Sequence, residues 1–283
     1  MVEKTVDHSL DDIHWYDYIT ININWFALTT RSQVLTPLVI PLLVQQFVGE
    51  TTKGAAVGTL RLWALMAALL FQSLMGILTD RNTSRFGRRR PFIVIGTLGE
   101  IVIFMLIGFS AGLEGMTGYW VLFGLFLLSM LTSNTSQAAT QPLITDLVPD
   151  EKKGLFSGIK AALELPIPLI FVSFVVGRLI ARDNLWGALF ALSGVLLVSM
   201  TISLFIREKP LKVTPPPIDW RPFLRLLAMT AAFTALILVI GYLVNLAIEY
   251  SKTLNEISQS ILIGFVGLGG MALAIGLGVW VSA

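Results

Sequence analysis

Gly76-Ile77-Leu78-Thr79-Asp80-Arg81-Asn82-Thr83-Ser84-Arg85-Phe86-Gly87-Arg88-Arg89-Arg90-Pro91 is the stretch on which the reading of this chain turns. It gathers Arg81, Arg85, Arg88, Arg89 and Arg90 beside a single acid, Asp80, between two long apolar runs. Lys and Arg accumulate in short loops on the cytoplasmic side of a membrane, so a basic hairpin of this kind belongs there. That assignment orients every other segment.

Composition supports a membrane setting. Of 283 residues, 55% are hydrophobic and 13% charged, and the mean hydropathy is +0.77. A soluble domain carries roughly a quarter of its residues charged. An all-α, polytopic membrane protein is therefore expected. The chain has no Cys, and its two histidines, His8 and His14, both lie in the N-terminal tail. Disulfide frameworks and Cys/His zinc sites are thereby excluded. No paired His, Cys nucleophile or metal-ligand spacing is present, so neither an enzyme nor a cofactor, metal or nucleic-acid partner is expected. The tail carries Glu3, Asp7, Asp11, Asp12 and Asp17 against Lys4, which is not the pattern of a secretory signal.

Apolar windows of about 20 residues give eight candidate spans, near 21–47, 55–79, 91–111, 119–145, 155–180, 185–206, 223–248 and 258–281. With the arginine hairpin inside, the inner segments hold twelve Lys and Arg from Lys4 to Arg221, against Lys53, Arg182 and Lys252 outside. Trp120 and Trp186 open spans 4 and 6 at the outer interface, and Trp220 and Trp280 sit at the inner one, where indoles anchor. Both termini are then cytoplasmic, and the expected location is the plasma (inner) membrane. Pro37 and Pro41 interrupt the first span, which lipid tolerates only where neighbours or a water-filled cavity satisfy the freed carbonyls. Residues 207–221, with Pro215-Pro216-Pro217, read as a semi-rigid linker dividing six spans from two.

The hairpin resembles the signature loop between helices 2 and 3 of major facilitator transporters. Through Thr83-Ser84-Arg85-Phe86-Gly87-Arg88-Arg89-Arg90-Pro91-Phe92 it is most similar to the branch of glycoside-pentoside-hexuronide carriers and plant-type sucrose–proton symporters. Asp146-Leu147-Val148-Pro149-Asp150-Glu151-Lys152-Lys153-Gly154 resembles the second cytoplasmic hairpin of the same superfamily. The resemblance implies a six-helix N-terminal half (1–206), a cytoplasmic linker (207–221) and two helices of an incomplete C-terminal half (222–283). Leu277–Ala283 then repeats Met75–Arg81, so the last four spans, or a partner chain, are expected to be needed to complete the fold. It further implies secondary transport of a small polar solute, a sugar or glycoside, by alternating access. The competing expectations are a membrane interaction or assembly protein on the same scaffold and an inactive truncated carrier.

Ionisable groups inside lipid mark pathways or partners. By helical rise, Arg31, Glu100, Gln137 and Glu164 lie about 13 to 17 Å deep. Arg31 with Glu164 is the preferred intramembrane pair, with Lys160, one turn before Glu164, as the competitor. Glu100, on a span that the resemblance places at the periphery, is expected to be protonated or hydrogen-bonded to span 2. Asn134, Gln137 and Gln141 share one helical face, suited either to sugar hydroxyls or to interhelical hydrogen bonds. Asp146 resembles the proton-coupling aspartate of sucrose symporters, the alternative being an interfacial acid beside Lys152 and Lys153. Span 2 has no acid between Arg61 and Asp80, where sodium-coupled melibiose-type carriers place carboxylates, so proton coupling or facilitated transport is expected rather than sodium coupling. Resemblance makes Gly76, Asp80, Arg81, Arg85, Gly87, Arg88, Arg89 and Arg90 a gating loop.

Overall fold

Seven helices long and apolar enough to cross a membrane follow one another among the described residues. They are α1 (Asp17–Val48), α2 (Glu50–Asp80), α3 (Arg90–Ser110), α4 (Gly115–Leu147), α5 (Asp150–Ile180), α6 (Leu185–Ser203) and α7 (Arg221–Ser251). The computed structural model describes residues 12–208, 218 and 220–251, with isolated positions 264, 269, 272 and 276. The eighth expected span, 258–281, and the Pro-rich segment 209–217 fall outside these apart from those positions. The chain divides into two compact units, Met1–Pro217 and Ile218–Ala283.

Helix ends are set by local chemistry. Gly49, at φ 79°, turns α1 directly into α2, a left-handed conformation that only glycine adopts without cost. Pro91 stands in the first turn of α3, where a missing N–H breaks no helical bond. Asn184 caps α6 by accepting the Gly187 N–H at 2.8 Å. The interruption expected in the first span takes the form of a π turn at Leu35–Val39, in which the Ile40 N–H bonds back five residues to Leu35 O. In the same register Pro41 would have bonded Thr36 O, which it cannot. Arg61 of α2 donates Nη2 to that carbonyl at 2.9 Å. The helix thus passes two prolines without breaking, the freed carbonyl being met by a neighbour. In α5, Leu165 departs from helical geometry before Pro166, and a second π turn follows at Val172–Val176.

In the first unit, α4 packs against both α2 and α3, α6 packs against α3 and α1, and α1 also contacts α4 and α5. The main core joins Val34, Leu35, Phe104, Leu122, Phe126 and Leu192 from four helices. A smaller core at the hairpin end joins Ile93, Leu143, Phe156 and Ile206. Close approach of α3 to α4 depends on glycine. A Cβ on Gly96 would stand 2.7 Å from Ser136 N and Thr132 O, and one on Gly99 would stand 2.7 Å from Thr132 Cγ2. Small residues at such crossings let backbones meet where lipid gives no hydrophobic drive.

Candidate functional site

That crossing places the first polar cluster. Gly96 and Glu100 lie one turn apart on α3, so the face that meets α4 carries a carboxylate into the interior. Glu100 Oε1 accepts from Arg31 Nε at 2.7 Å and from Ser129 Oγ at 2.6 Å, while Oε2 accepts from Thr132 Oγ1. Arg31 also donates Nη2 to Ser129 Oγ. The two charged side chains are 7% and 2% exposed. Three helices, α1, α3 and α4, are therefore tied by one ion pair and its hydroxyls. This corrects the expected Arg31–Glu164 pair and the expected hydrogen bond of Glu100 to span 2, its partners lying on α1 and α4. Glycines let α3 close on α4, and Arg31 is long enough to reach Glu100 across the gap. Glu164 instead meets Lys160 on its own helix at 3.7 Å, and Lys160 Nζ stands 3.8 Å from the Trp25 ring centroid of α1.

The polar run of α4 divides. Asn134 is buried and donates to Met130 O at 2.7 Å, back into its own helix. Gln137 is half-buried, and Gln141 is exposed and accepts from Gln72 Nε2 of α2 at 2.9 Å. Although they share a face, the three amides are not joined to one another. The partner from α1 is Asn24, whose Nδ2 donates to Ser136 Oγ at 3.0 Å and to Thr140 Oγ1.

The second cluster lies at the hairpin. Pro142 breaks α4, and the short final turn Leu143–Leu147 carries Asp146 toward the loop. Asp146 Oδ2 accepts from Arg88 Nη2 at 2.7 Å and Arg89 Nη2 at 2.6 Å. The same guanidinium groups reach Asp80 Oδ1 at 3.2 and 3.4 Å. Asp146 is therefore no acid beside Lys152 and Lys153, and Lys153 pairs with Asp150 at 2.6 Å. Burial pushes the Arg89 pKa down, opposed first by the charge of Asp146. A guanidinium stays charged regardless, so the buried Arg89 depends on its carboxylates.

Loop shape follows from the sequence between these arginines. Asn82 Oδ1 accepts the Ser84 N–H at 3.2 Å, and Asn82 Nδ2 donates to Arg88 O at 2.8 Å. Gly87 takes φ 104°, so a side chain there would be strained. Glu208, just beyond α6, accepts the Arg89 N–H with both carboxylate oxygens, at 2.9 and 3.1 Å. Its neighbour Arg207 donates to the buried Asp17, and this hydrogen bond raises the Arg207 pKa. Arg85 lies over the Phe86 ring at 4.9 Å. Gly76 faces open space on α2, where a Cβ would meet nothing within 4 Å.

Sequence reasoning missed Asn82, Glu208, Asn24, Gln72 and the hydroxyls of Ser129 and Thr132. Asn82 was within reach, because an Asn in a loop tends to accept the backbone N–H two residues on, the Asx turn. Gly108-Phe109-Ser110-Ala111-Gly112 has the Gly-x-Ser-x-Gly spacing of a nucleophile elbow, which joins a strand to a helix. Here it ends a helix, and Ser110 Oγ is buried and donates to Ile107 O at 2.8 Å.

Comparison with known proteins agrees with this architecture. Residues 21–283 match the Major Facilitator Superfamily. The chain is 31% identical over 105 residues to the sucrose transport protein SUC3 of Arabidopsis thaliana, a match covering 31% of this chain and 18% of the relative. It is 25% identical over 178 residues to the sucrose transport protein SUT5 of Oryza sativa subsp. indica, covering 51% of this chain and 33% of the relative. The chain thus matches a third or less of the length of these relatives.

Proposed function

The chain belongs to the major facilitator superfamily, a family of membrane carriers rather than enzymes, and on that premise we propose that it moves a sugar or glycoside together with protons by alternating access. In this reading the six spans of the first unit form one half of the carrier and α7 begins the second. The observation that carries the proposal is the cluster at the hairpin. Asp80 and Asp146, at the ends of α2 and α4, share Arg88 and Arg89, so one set of ion pairs fixes the hairpin end of this half, the end that meets the other half when this side closes. The similarity to sucrose transport proteins supports the solute class.

Asp146 is the proton-coupling group of this scheme. Its side chain is 31% exposed, so a proton can reach it, whereas the 2% exposed Glu100 is held by three donors. Hydrogen bonds and a cation favour the charged form of a carboxylate. In this scheme a proton taken up by Asp146 removes the charge that holds Arg88 and Arg89 and releases both. Solute hydroxyls are met by the half-buried amides of Gln72 and Gln137 and the exposed amide of Gln141, each able to donate and accept. The Lys160–Glu164 pair over Trp25 borders the same half.

Asp146→Asn tests the coupling. The amide keeps the shape and loses the titration, so uptake driven by a pH gradient should vanish while solute exchange at equal pH persists. Unchanged pH-driven uptake sinks the assignment.

A further inference from the structure

The five arginines of the hairpin do not share one fate. Arg88 and Arg89 are matched by Asp80 and Asp146. Arg85 and Arg90 have no carboxylate within ion-pair distance among the described residues. Arg85 lies over the Phe86 ring at 4.9 Å, and Arg90 has an enclosed Nε with no hydrogen-bond partner. Glu208, just beyond α6, accepts the Arg89 N–H with both carboxylate oxygens.

Between the ends of α3 and α6 lies a groove of about 350 Å³ lined by Phe86, Arg90, Pro91, Val94, Ile95 and Leu204. Its floor is aliphatic, and its rim is apolar yet uncovered, with Phe86 63% and Ile95 65% exposed. Pro91 begins the apolar run of α3 and Leu204 follows directly on α6, so the groove sits at the level where headgroups give way to acyl chains. A guanidinium at an apolar slot, with a second arginine over the ring of the lining residue Phe86, is complementary to a molecule with an anionic head and a hydrocarbon tail.

We propose that this groove is a binding site for an anionic phospholipid of the leaflet facing the hairpin, with its phosphate on Arg90 and Arg85 and an acyl chain along Pro91, Val94, Ile95 and Leu204. Arginine suits phosphate because its planar fork donates two parallel hydrogen bonds. Basic pockets between membrane helices hold lipid headgroups by the same charge logic. A seated phosphate satisfies Arg90 without drawing Asp146 or Asp80 from Arg88 and Arg89. The hairpin would then be held from two sides, by carboxylates within the protein and by phosphate from the lipid.

The test counts lipids retained by the intact purified chain in native mass spectrometry, after titration with dioleoyl phosphatidylglycerol or dioleoyl phosphatidylcholine. The intact chain should retain phosphatidylglycerol preferentially. Arg90→Gln should weaken that retention roughly fivefold, the equivalent of about 1 kcal/mol for one basic residue near the surface, and Arg85→Gln should act in the same direction. Ile95→Trp, which fills the groove and keeps both arginines, should lower retention as well, whereas Lys153→Gln should leave it unchanged. Equal retention of phosphatidylcholine, no loss in Arg90→Gln, or an equal loss in Lys153→Gln would overturn the site. So would full displacement of the lipid by millimolar inorganic phosphate, which would mark a simple anion site. Binding is read without transport, so this site stands or falls separately from the solute and proton assignments.

Discussion

Replacing Glu100 with Leu should be among the most damaging single changes in the first unit, and replacing Arg31 along with it should undo most of the damage. Removing one partner of a buried ion pair leaves an uncompensated charge and costs about 3 to 5 kcal/mol. Here Arg31, with a side chain 7% exposed, would be left with Ser129 Oγ as its acceptor. Ser129 and Thr132 also lose their acceptor on Glu100, at roughly 0.6 kcal/mol per intramembrane hydrogen bond. Glu100→Leu should therefore cost about 4 to 6 kcal/mol. In Arg31→Met with Glu100→Leu no charge is buried, and substitution of both partners by apolar residues is often neutral or stabilising. The assay is reversible unfolding in bicelles, followed by tryptophan fluorescence, for the two single variants and the double. If Glu100→Leu costs under about 1 kcal/mol, or the double is as unstable as the singles, the buried pair is not what ties α1, α3 and α4. Transport adds a second reading: a staple can be replaced, so the stable double should keep pH-driven uptake, whereas a coupling group cannot.

Two further outcomes follow from the helix crossings. Gly96→Ala should destabilise by about 1 to 3 kcal/mol or more, because the added methyl meets the backbone of α4 at 2.7 Å. Gly54→Ala, in open space on α2, should stay within about 0.5 kcal/mol; equal effects in the two unfolding curves would refute the close approach. Asn24→Leu removes donors to Ser136 and Thr140 and should cost no more than about 2 kcal/mol, since intramembrane hydrogen bonds average about 0.6 kcal/mol. A loss as large as that of Glu100→Leu would mean that Asn24 holds a larger network than these two bonds.

What could be read from the sequence was whatever depends on position along the chain. The apolar runs anticipate the seven described helices because hydrocarbon demands about 20 apolar residues per crossing. Arg31 and Glu100 are expected at similar depth for the same reason, and they meet at 2.7 Å. Depth gives no azimuth, however, and the partner of Arg31 is decided by which way each helix faces. Gly96 and Gly99 turn α3 onto α4, yet in the sequence they are two glycines among 24. The hairpin cluster was legible in part: five arginines around Asp80 announce a network, but the place of Asp146 in it depends on the break at Pro142. Glu208 was beyond reach, because nothing local says that the residue after α6 returns to the Arg89 N–H.

The central claim is that the chain carries a sugar-like solute coupled to protons, and uptake by proteoliposomes tests it most directly. The complete protein is reconstituted, a pH gradient is imposed, and labelled sucrose and a labelled β-glucoside are offered in turn. The account expects accumulation of at least one of them above its outside concentration, collapsing when a protonophore dissipates the gradient. Uptake of neither solute above that of protein-free liposomes, at any pH gradient, would contradict it.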